Sequence, residues 1–264
     1  MYKCFGQRGG WMSANNWDAH LYDRSHRFVS EYGNHLIELL APQKDEKVLD
    51  IGCGTGDLAN ELYEHGINVI GIDYAESMVE QAQQKYPHIR FEVGDITQLP
   101  YEDEFDAILS NAVLHWIKSP KLALESIYQS LQSGGRFVAE FGGKGNVSNL
   151  TTNIIREVRE AGYAFDEKKF PWYFPSIAAY TILMEQVGFQ VTFARLYERP
   201  TRLVGDEGLK NWLSMFADSF FHDVPVDKRD VLVKQIEQAL SKERDEDGNW
   251  LADYVRLQII GKKI

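Results

Sequence analysis

Lys47-Val48-Leu49-Asp50-Ile51-Gly52-Cys53-Gly54-Thr55-Gly56-Asp57-Leu58 reads as a short apolar strand, a glycine-rich turn and the start of a helix. That is the layout of the first nucleotide-binding strand in an open α/β sheet. Glycines at 52, 54 and 56 allow positive φ and let a ligand lie against bare backbone, with the N–H groups of the helix start close by. The spacing is G-x-G-x-G. A dinucleotide fingerprint would put its third glycine at 57, where this chain has Asp57. An aspartate at the mouth of that helix repels a diphosphate and suits a ligand with an ammonium or sulfonium group. A glycine turn without a ligand is the plainer alternative, and three alternating glycines directly after such a strand weigh against it.

Moving outward, a helix from about Leu58 to His65 leads through Gly66 to a second strand, Asn68 to Ile72, closed by Asp73. Asp73 falls about twenty residues past the glycines, where a carboxylate accepts hydrogen bonds from a ribose diol; capping the following helix is its other reading. That helix, about Ala75 to Tyr86, turns Met78, Val79 and Ala82 inward and stops at Pro87. A third strand, Ile89 to Val93, runs into Gly94-Asp95-Ile96. There Asp95 can accept from an adenine amine while Ile96 packs on the ring, or Asp95 can close an Asx turn. A fourth strand, Phe105 to Ser110, delivers Asn111-Ala112-Val113-Leu114-His115-Trp116 at its carboxyl end. Trp116 beside a histidine past a central strand points at a cleft or fills core. Ser119-Pro120 starts a helix that ends at Gly134-Gly135, and the fifth strand is Arg136 to Phe141.

Beyond Gly142, helical stretches are predicted at about 147–162 and 176–187, with a strand near Phe189 to Tyr197. Between the helices Phe170-Pro171-Trp172-Tyr173-Phe174-Pro175 forms an aromatic bridge. Residues 198–250 read as a helical insertion in which Trp212, Met215, Phe216, Phe220 and Phe221 recur at helical spacing, mostly as core, with enough apolar surface to act as a substrate lid. Tyr254 to Gly261 is a final alternating strand, suited to an antiparallel position. At the other end, residues 1–15 are glycine-rich and expected to be partly disordered. Trp17, Tyr22, His26 and Arg27 mix rings with polar tips ahead of a helix carrying Leu36, Ile37, Leu39 and Leu40. The expected organisation is therefore an N-terminal lid segment and helix (1–44), a ligand-binding domain (45–197 with 251–264) and a helical lid (198–250).

At 264 residues the chain suits one α/β domain with an insertion. A formal charge of −11, with no local basic cluster, argues against nucleic acid as the main partner. Cys4 and Cys53 are the two cysteines, and Cys53 lies inside the glycine turn, where a disulfide would obstruct a ligand; a reducing cytoplasmic setting is expected. No apolar run approaches the roughly eighteen residues of a membrane span, so no membrane partner is expected. No His/Cys/Asp cluster has metal-ligand spacing, so no metal is proposed.

The strand-D-x-G-x-G-x-G turn, the acid ending the second strand, Gly94-Asp95-Ile96, Phe105-Asp106-Ala107-Ile108 and the final alternating strand together resemble the class I S-adenosylmethionine-dependent methyltransferases. The resemblance implies a Rossmann-like, seven-stranded, mostly parallel sheet with the last strand antiparallel. It further implies S-adenosylmethionine as cofactor and S-adenosylhomocysteine as product. Asp50, Gly52, Cys53, Gly54 and Gly56 would wrap the methionine part. Asp73 would hold the ribose, with Tyr74 and Met78 beside the adenine. Asp95 and Ile96 would bind adenine, and Asn111 and Ala112 would line the methionine end. Trp17-Asp18-x-x-x-Tyr22 and Ser110-Asn111-Ala112-x-x-His115-Trp116 look like the trans-aconitate methyltransferase group and its relatives, malonyl-acyl-carrier-protein methyltransferase among them, which esterify carboxylates.

Transfer from a sulfonium is an in-line displacement, in which a protein chiefly positions the nucleophile and excludes water. For a small-molecule carboxylate acceptor, already ionised, His115, Trp116 and Tyr22 would orient it, with Tyr22 also near the cofactor. A phenol, quinone precursor or amine would want a base, for which His115 or His26 is the candidate. A non-catalytic S-adenosylmethionine-binding module is the rival from another class, and a nicotinamide oxidoreductase a third, disfavoured by Asp57. The oligomeric state is not legible in the sequence.

Overall fold

The computed structural model describes residues 35–264. Trp17, Tyr22, His26, Arg27 and the expected features of 1–34 lie outside the described residues. A helical segment over 35–40 precedes the first strand.

Among the described residues the strands are β1 (Lys47–Ile51), β2 (Asn68–Asp73), β3 (Arg90–Val93), β4 (Phe105–Asn111), β5 (Leu131–Gly142), β6 (Phe189–Glu198), β7 (Thr201–Leu203), β8 (Trp250–Ala252) and β9 (Val255–Lys263). Seven form one sheet in the order β3-β2-β1-β4-β5-β9-β6, and β7 pairs with β8. β3, β2, β1, β4 and β5 run parallel, while β9 is antiparallel to both β5 and β6. Strand order reverses between β1 and β4, so the loops after them open a crevice at the carboxyl ends of the strands. The seven-stranded, mostly parallel expectation is met, antiparallel strand included.

The helices are α1 (Asp57–Glu64), α2 (Glu76–Lys85), α3 (Pro120–Ser130), α4 (Ser148–Glu160), α5 (Ile177–Val187), α6 (Gly208–Phe216) and α7 (Val226–Ala239). Residues 35–40, α1 and α2 bury Leu36, Leu40, Leu62 and Ala82 against one face of the sheet. α3 and α5 bury Leu124, Ile127, Tyr180 and Met184 against the other. Both faces of the central strands are covered, which is why β1 and β4 read as continuous apolar runs. Each fully buried large side chain contributes roughly 1.5–3 kcal/mol.

α3 stops at Ser130, short of the expected Gly134-Gly135. Its last carbonyls are taken by the loop before β4, Asp103 N–H donating to Gln129 O at 2.9 Å and Glu104 N–H to Ser130 O at 3.0 Å, and Leu131 already pairs with Phe105. α5 follows expectation: the Ser176 hydroxyl accepts from Ala179 N–H at 3.2 Å, and Gly188 ends it at φ +118°.

A third apolar core lies outside the sheet layers. It joins Trp212, Leu213, Phe220, Phe221, Leu232 and Ile236 of the 198–250 stretch to Val147, Leu150, Ile154 and Trp172. The cap over the sheet thus draws on 147–174 as well as on 198–250. Two remote carboxylate bonds fix its base: Asp253 accepts from Asn149 N–H at 2.7 Å and Leu150 N–H at 3.3 Å, occupying the open N–H groups at the start of α4.

Candidate active site

The glycine turn is built by backbone bonds across to β2. Gly52 N–H and Cys53 N–H both donate to Ile72 O, at 2.7 and 3.1 Å, and Gly56 N–H closes onto Cys53 O at 3.0 Å. The Asp73 carboxylate braces the same turn, Oδ2 accepting from Gly54 N–H at 3.0 Å and Oδ1 from Ala75 N–H at 2.9 Å. Tyr74 N–H bonds the same carboxylate, and of its roughly four lone-pair sites one remains for a ligand. Burial raises the Asp73 carboxyl above its ordinary range, against the pull of those N–H groups. Gly54 has φ +54° and open space where a Cβ would project, so its backbone is bare to the cavity. Gly56, at φ +88°, is glycine for another reason: a Cβ would stand 2.7 Å from the Phe91 ring.

A single cavity is lined by Gly52, Gly54, Asp73, Tyr74, Met78, Asp95, Ile96, Asn111 and Ala112 at one end and by His115 and Trp116 further along. It encloses about 1170 Å³ of atom-free space, part of it open to solvent, at or beyond the upper end of ordinary ligand pockets. Asp95 also closes the Asx turn, Oδ1 accepting from Thr97 N–H and the Thr97 hydroxyl, each at 2.8 Å. The Asx-turn reading of Asp95 is therefore met, and the turn uses Oδ1 alone.

Asp50, Cys53 and Gly56 do not line the cavity. Cys53 is a buried free thiol in the sheet core, pushed well above its ordinary pKa by burial, and Asp50 and Asp73 nearby act in the same direction. Asp50 is 2 % exposed, its Oδ2 has no partner, and burial followed by the Asp73 charge raises its pKa to about 7. Asp57 is a correction to the sequence reading. Its Oδ1 accepts from Lys85 Nζ at 2.5 Å and from Tyr86 OH at 2.6 Å, so its charge is answered by the end of α2 and is not offered to a ligand.

Past β4 the chain turns at Ala112, whose φ is +61° and whose N–H donates to Glu140 O at 2.7 Å. His115 follows on a short 3-10 turn, Leu114–Trp116. Its Nδ1 accepts from Gly142 N–H at 3.3 Å, so the ring proton sits on Nε2. Burial, and secondarily the Arg256 charge, pushes its pKa well below the ordinary value. The ring is neutral, and a donor at Nε2. Trp116 serves both of its expected roles, since it lines the cavity and packs on Trp172 and Phe216 at 5.6 and 6.3 Å between centroids. The aromatic bridge is pinned beneath this turn: Tyr173 N–H donates to His115 O at 2.7 Å, and Lys118 Nζ to Phe170 O and Trp172 O at 2.6 and 2.9 Å.

The cavity also takes Asn146, Trp172, Phe174, Trp212, Phe216, Tyr254 and Arg256, none of which was singled out as a site residue from sequence. Arg256 and Tyr254 sit in or beside the last strand, whose alternation was read only as suiting an antiparallel position. β9 is in fact interior, between β5 and β6. A charged residue in that strand was the available signal.

The residues fit a nucleoside carrying an ammonium group. Bare backbone at Gly54 and carboxylates at the ends of β2 and β3, all lining the cavity, are what such a ligand needs. Sheet order, switch-point crevice and this lining define a nucleotide-binding α/β protein of the Rossmann-like methyltransferase type. A family profile described as a methyltransferase domain matches residues 49–139. An uncharacterized methyltransferase of Schizosaccharomyces pombe is 32% identical over 263 residues, 96% of this chain and 100% of that protein. The malonyl-[acyl-carrier protein] O-methyltransferase of Hamiltonella defensa is 27% identical over 151 residues, 57% of this chain and 55% of its own. Among solved structures, YcgJ of Bacillus subtilis shares the fold at a TM-score of 0.59 and 18% identity, over 90% of this chain and 98% of that one. The chain belongs to the S-adenosylmethionine-dependent methyltransferase family. Among the described residues no helix is long and apolar enough to cross a membrane, and no group of three His, Cys, Asp or Glu could hold a metal ion.

Proposed function

We propose that the chain binds S-adenosylmethionine along the glycine turn and methylates a carboxylate oxygen of a small molecule. Asp73 takes the ribose hydroxyls, Tyr74 and Met78 flank the adenine, Asp95 and Ile96 meet its amine and face, and Gly52, Gly54, Asn111 and Ala112 surround the methionine part. His115 and Trp116 orient the acceptor. The observation that carries this reading is the single cavity that joins the Gly54–Asp73–Asp95 end to the His115–Trp116 end. The sulfonium, when bound, supplies an electrophilic methyl group. The chain's own contribution is alignment and exclusion of water, several kcal/mol of the barrier. A neutral His115 that donates from Nε2 suits an oxygen already ionised, and suits proton abstraction poorly, because moving its proton to Nδ1 would set two donors against each other at Gly142. The acidic net charge speaks against nucleic acid as substrate, and the free Cys53 in the glycine turn supports a reducing cytoplasmic setting.

The test is transfer of labelled methyl from S-adenosylmethionine into pooled carboxylic acids, followed by mild alkali. Label incorporated and then released means an ester. Label that survives alkali moves the acceptor to a phenol, quinone precursor, amine or carbon. No transfer despite S-adenosylhomocysteine binding leaves a non-catalytic module.

A further inference from the structure

Arg256 is 4 % exposed, lines the cavity, and stands opposite Gly142 in the β5–β9 ladder. Its Nε is buried without a hydrogen-bond partner. The acid nearest in the network, Glu140, is already spent: Oε1 accepts from Arg199 Nη1 at 2.6 Å, and Oε2 from Tyr197 OH and Gln258 Nε2 at 2.6 and 2.8 Å. Two arginines thus share one carboxylate, and Arg256 forms no ion pair among the described residues. Its guanidinium carbon lies 4.5 Å from the centroid of the Tyr254 ring, a contact that offsets only part of the charge, and Glu140 acts on it through space without a direct bond. A buried cation with no contacting anion of its own is an arrangement that stability alone disfavours.

Two side chains of the same cavity wall, His115 and Asn146, present donors. His115 presents Nε2–H, for the reason given above. Asn146 is 4 % exposed and fixed by Val255 N–H on its Oδ1 at 2.9 Å, which leaves its amide N–H groups beside Gly142, where a Cβ would meet Nδ2 at 2.8 Å. The cavity acids are Asp73, which ends β2, and Asp95, which follows β3, and β1, β4 and β5 separate them from β9 in the sheet order. Next to the donor wall the lining turns aromatic, with Trp116, Trp172, Phe174 and Phe216.

We propose that Arg256 is the anion-binding residue of the acceptor subsite, gripping one carboxylate while the aromatic rings enclose an apolar or flat acceptor body. This rests on the methyltransferase reading and adds the substrate class, a monocarboxylic acid with an apolar body. A carboxylate has about four lone-pair sites. The guanidinium fork occupies two and leaves another for attack. In the transfer the carboxylate O–CH3 bond forms, the CH3–S bond breaks with its electron pair going to sulfur, and no proton moves. The ester product is neutral and loses its hold on Arg256, which favours release.

The experiment measures ligand binding calorimetrically for wild type, Arg256→Met and Arg256→Lys. The probes are straight-chain monocarboxylates from acetate to decanoate, cinnamate, and the matching amides; S-adenosylhomocysteine is titrated separately. The expected result is that wild type binds at least one acid and not its amide. Arg256→Met should lose roughly 50-fold in acid affinity, the effect of removing a charge-assisted bidentate pair, with S-adenosylhomocysteine affinity within about twofold of wild type. Arg256→Lys should fall between. Without ligand, Arg256→Met should unfold at a temperature equal to or above that of wild type. Acids bound equally by wild type and Arg256→Met, amides bound as well as acids, or no acid of the series bound by wild type would each overturn the assignment. Should Arg256→Met not fold, Arg256→Lys decides by the same comparison. Failure of S-adenosylhomocysteine to bind wild type would overturn the methyltransferase reading instead, and the acid titrations would still judge Arg256.

Discussion

Gly142 donates its backbone N–H to Nδ1 of His115 at 3.3 Å, and that bond decides what the imidazole can do. With Nδ1 an acceptor and the pKa pushed well below its ordinary value by burial, His115 is a neutral Nε2–H donor across the working pH range. A glutamine amide can donate in the same direction and cannot act as a base. His115→Gln should therefore keep kcat/KM within about tenfold of wild type, while His115→Ala should lose roughly a hundredfold. Equal loss in both variants, or a rate that falls below pH 7 with a histidine-like pKa, would restore the general-base role.

Gly54 and Gly134 have positive φ, +54° and +83°, and both have open space where a Cβ would project. Alanine at either site costs the same kind of backbone strain, about 1 kcal/mol. Only Gly54 lines the cavity. Gly54→Ala should weaken S-adenosylhomocysteine binding by tenfold or more, and Gly134→Ala should leave it unchanged at a similar cost in Tm. Equal binding by the two variants would remove Gly54 from the ligand's path.

Asp57 was read from sequence as a charge offered to the ligand, and the structure gives it to Lys85 and Tyr86. Asp57→Asn should accordingly change S-adenosylhomocysteine affinity by no more than about twofold, losing only part of a half-exposed pair worth at most about 1 kcal/mol. It should also gain no affinity for NADH, measured in the same titration. A large loss, or new NADH binding, would return Asp57 to the site.

The cofactor end was legible because it is written in short range. Glycines at 52, 54 and 56, and acids closing β2 and β3, occupy fixed positions relative to the strand ends, and strand ends are marked by local apolar runs. The acceptor wall was not. Arg256 reaches His115 through the pairing of β9 with β5, opposite Gly142, a contact between residues more than a hundred positions apart. Trp172 and Phe216 were visible as aromatics at bridge and helix positions. Their membership in one cap core with Val147 and Ile154 depends on tertiary packing that spacing alone does not encode. Cys53 shows the converse: a residue inside the motif whose side chain faces the core, so that only its backbone belongs to the turn.

Asp50 carries the last prediction. Its carboxyl is 2 % exposed, lacks a partner on Oδ2, and has its pKa raised to about 7 by burial and by Asp73. A folded-state pKa above the unfolded value of about 3.9 means that the folded state holds this proton more tightly. The contribution to stability is fully present below about pH 4 and is lost as pH rises through about 7. Asparagine is neutral throughout and undergoes no such loss. Asp50→Asn should match wild type in ligand-free stability near pH 4 and exceed it progressively up to pH 7, by on the order of 2–4 kcal/mol, with no further gain above. Chemical denaturation of both proteins at half-unit intervals from pH 4 to 9 measures the difference. A gap that shrinks with rising pH would show that Asp50 is charged and compensated in the folded state. A growing gap that levels off above pH 7 would show a carboxyl that folds protonated and costs stability once it ionises in the folded state.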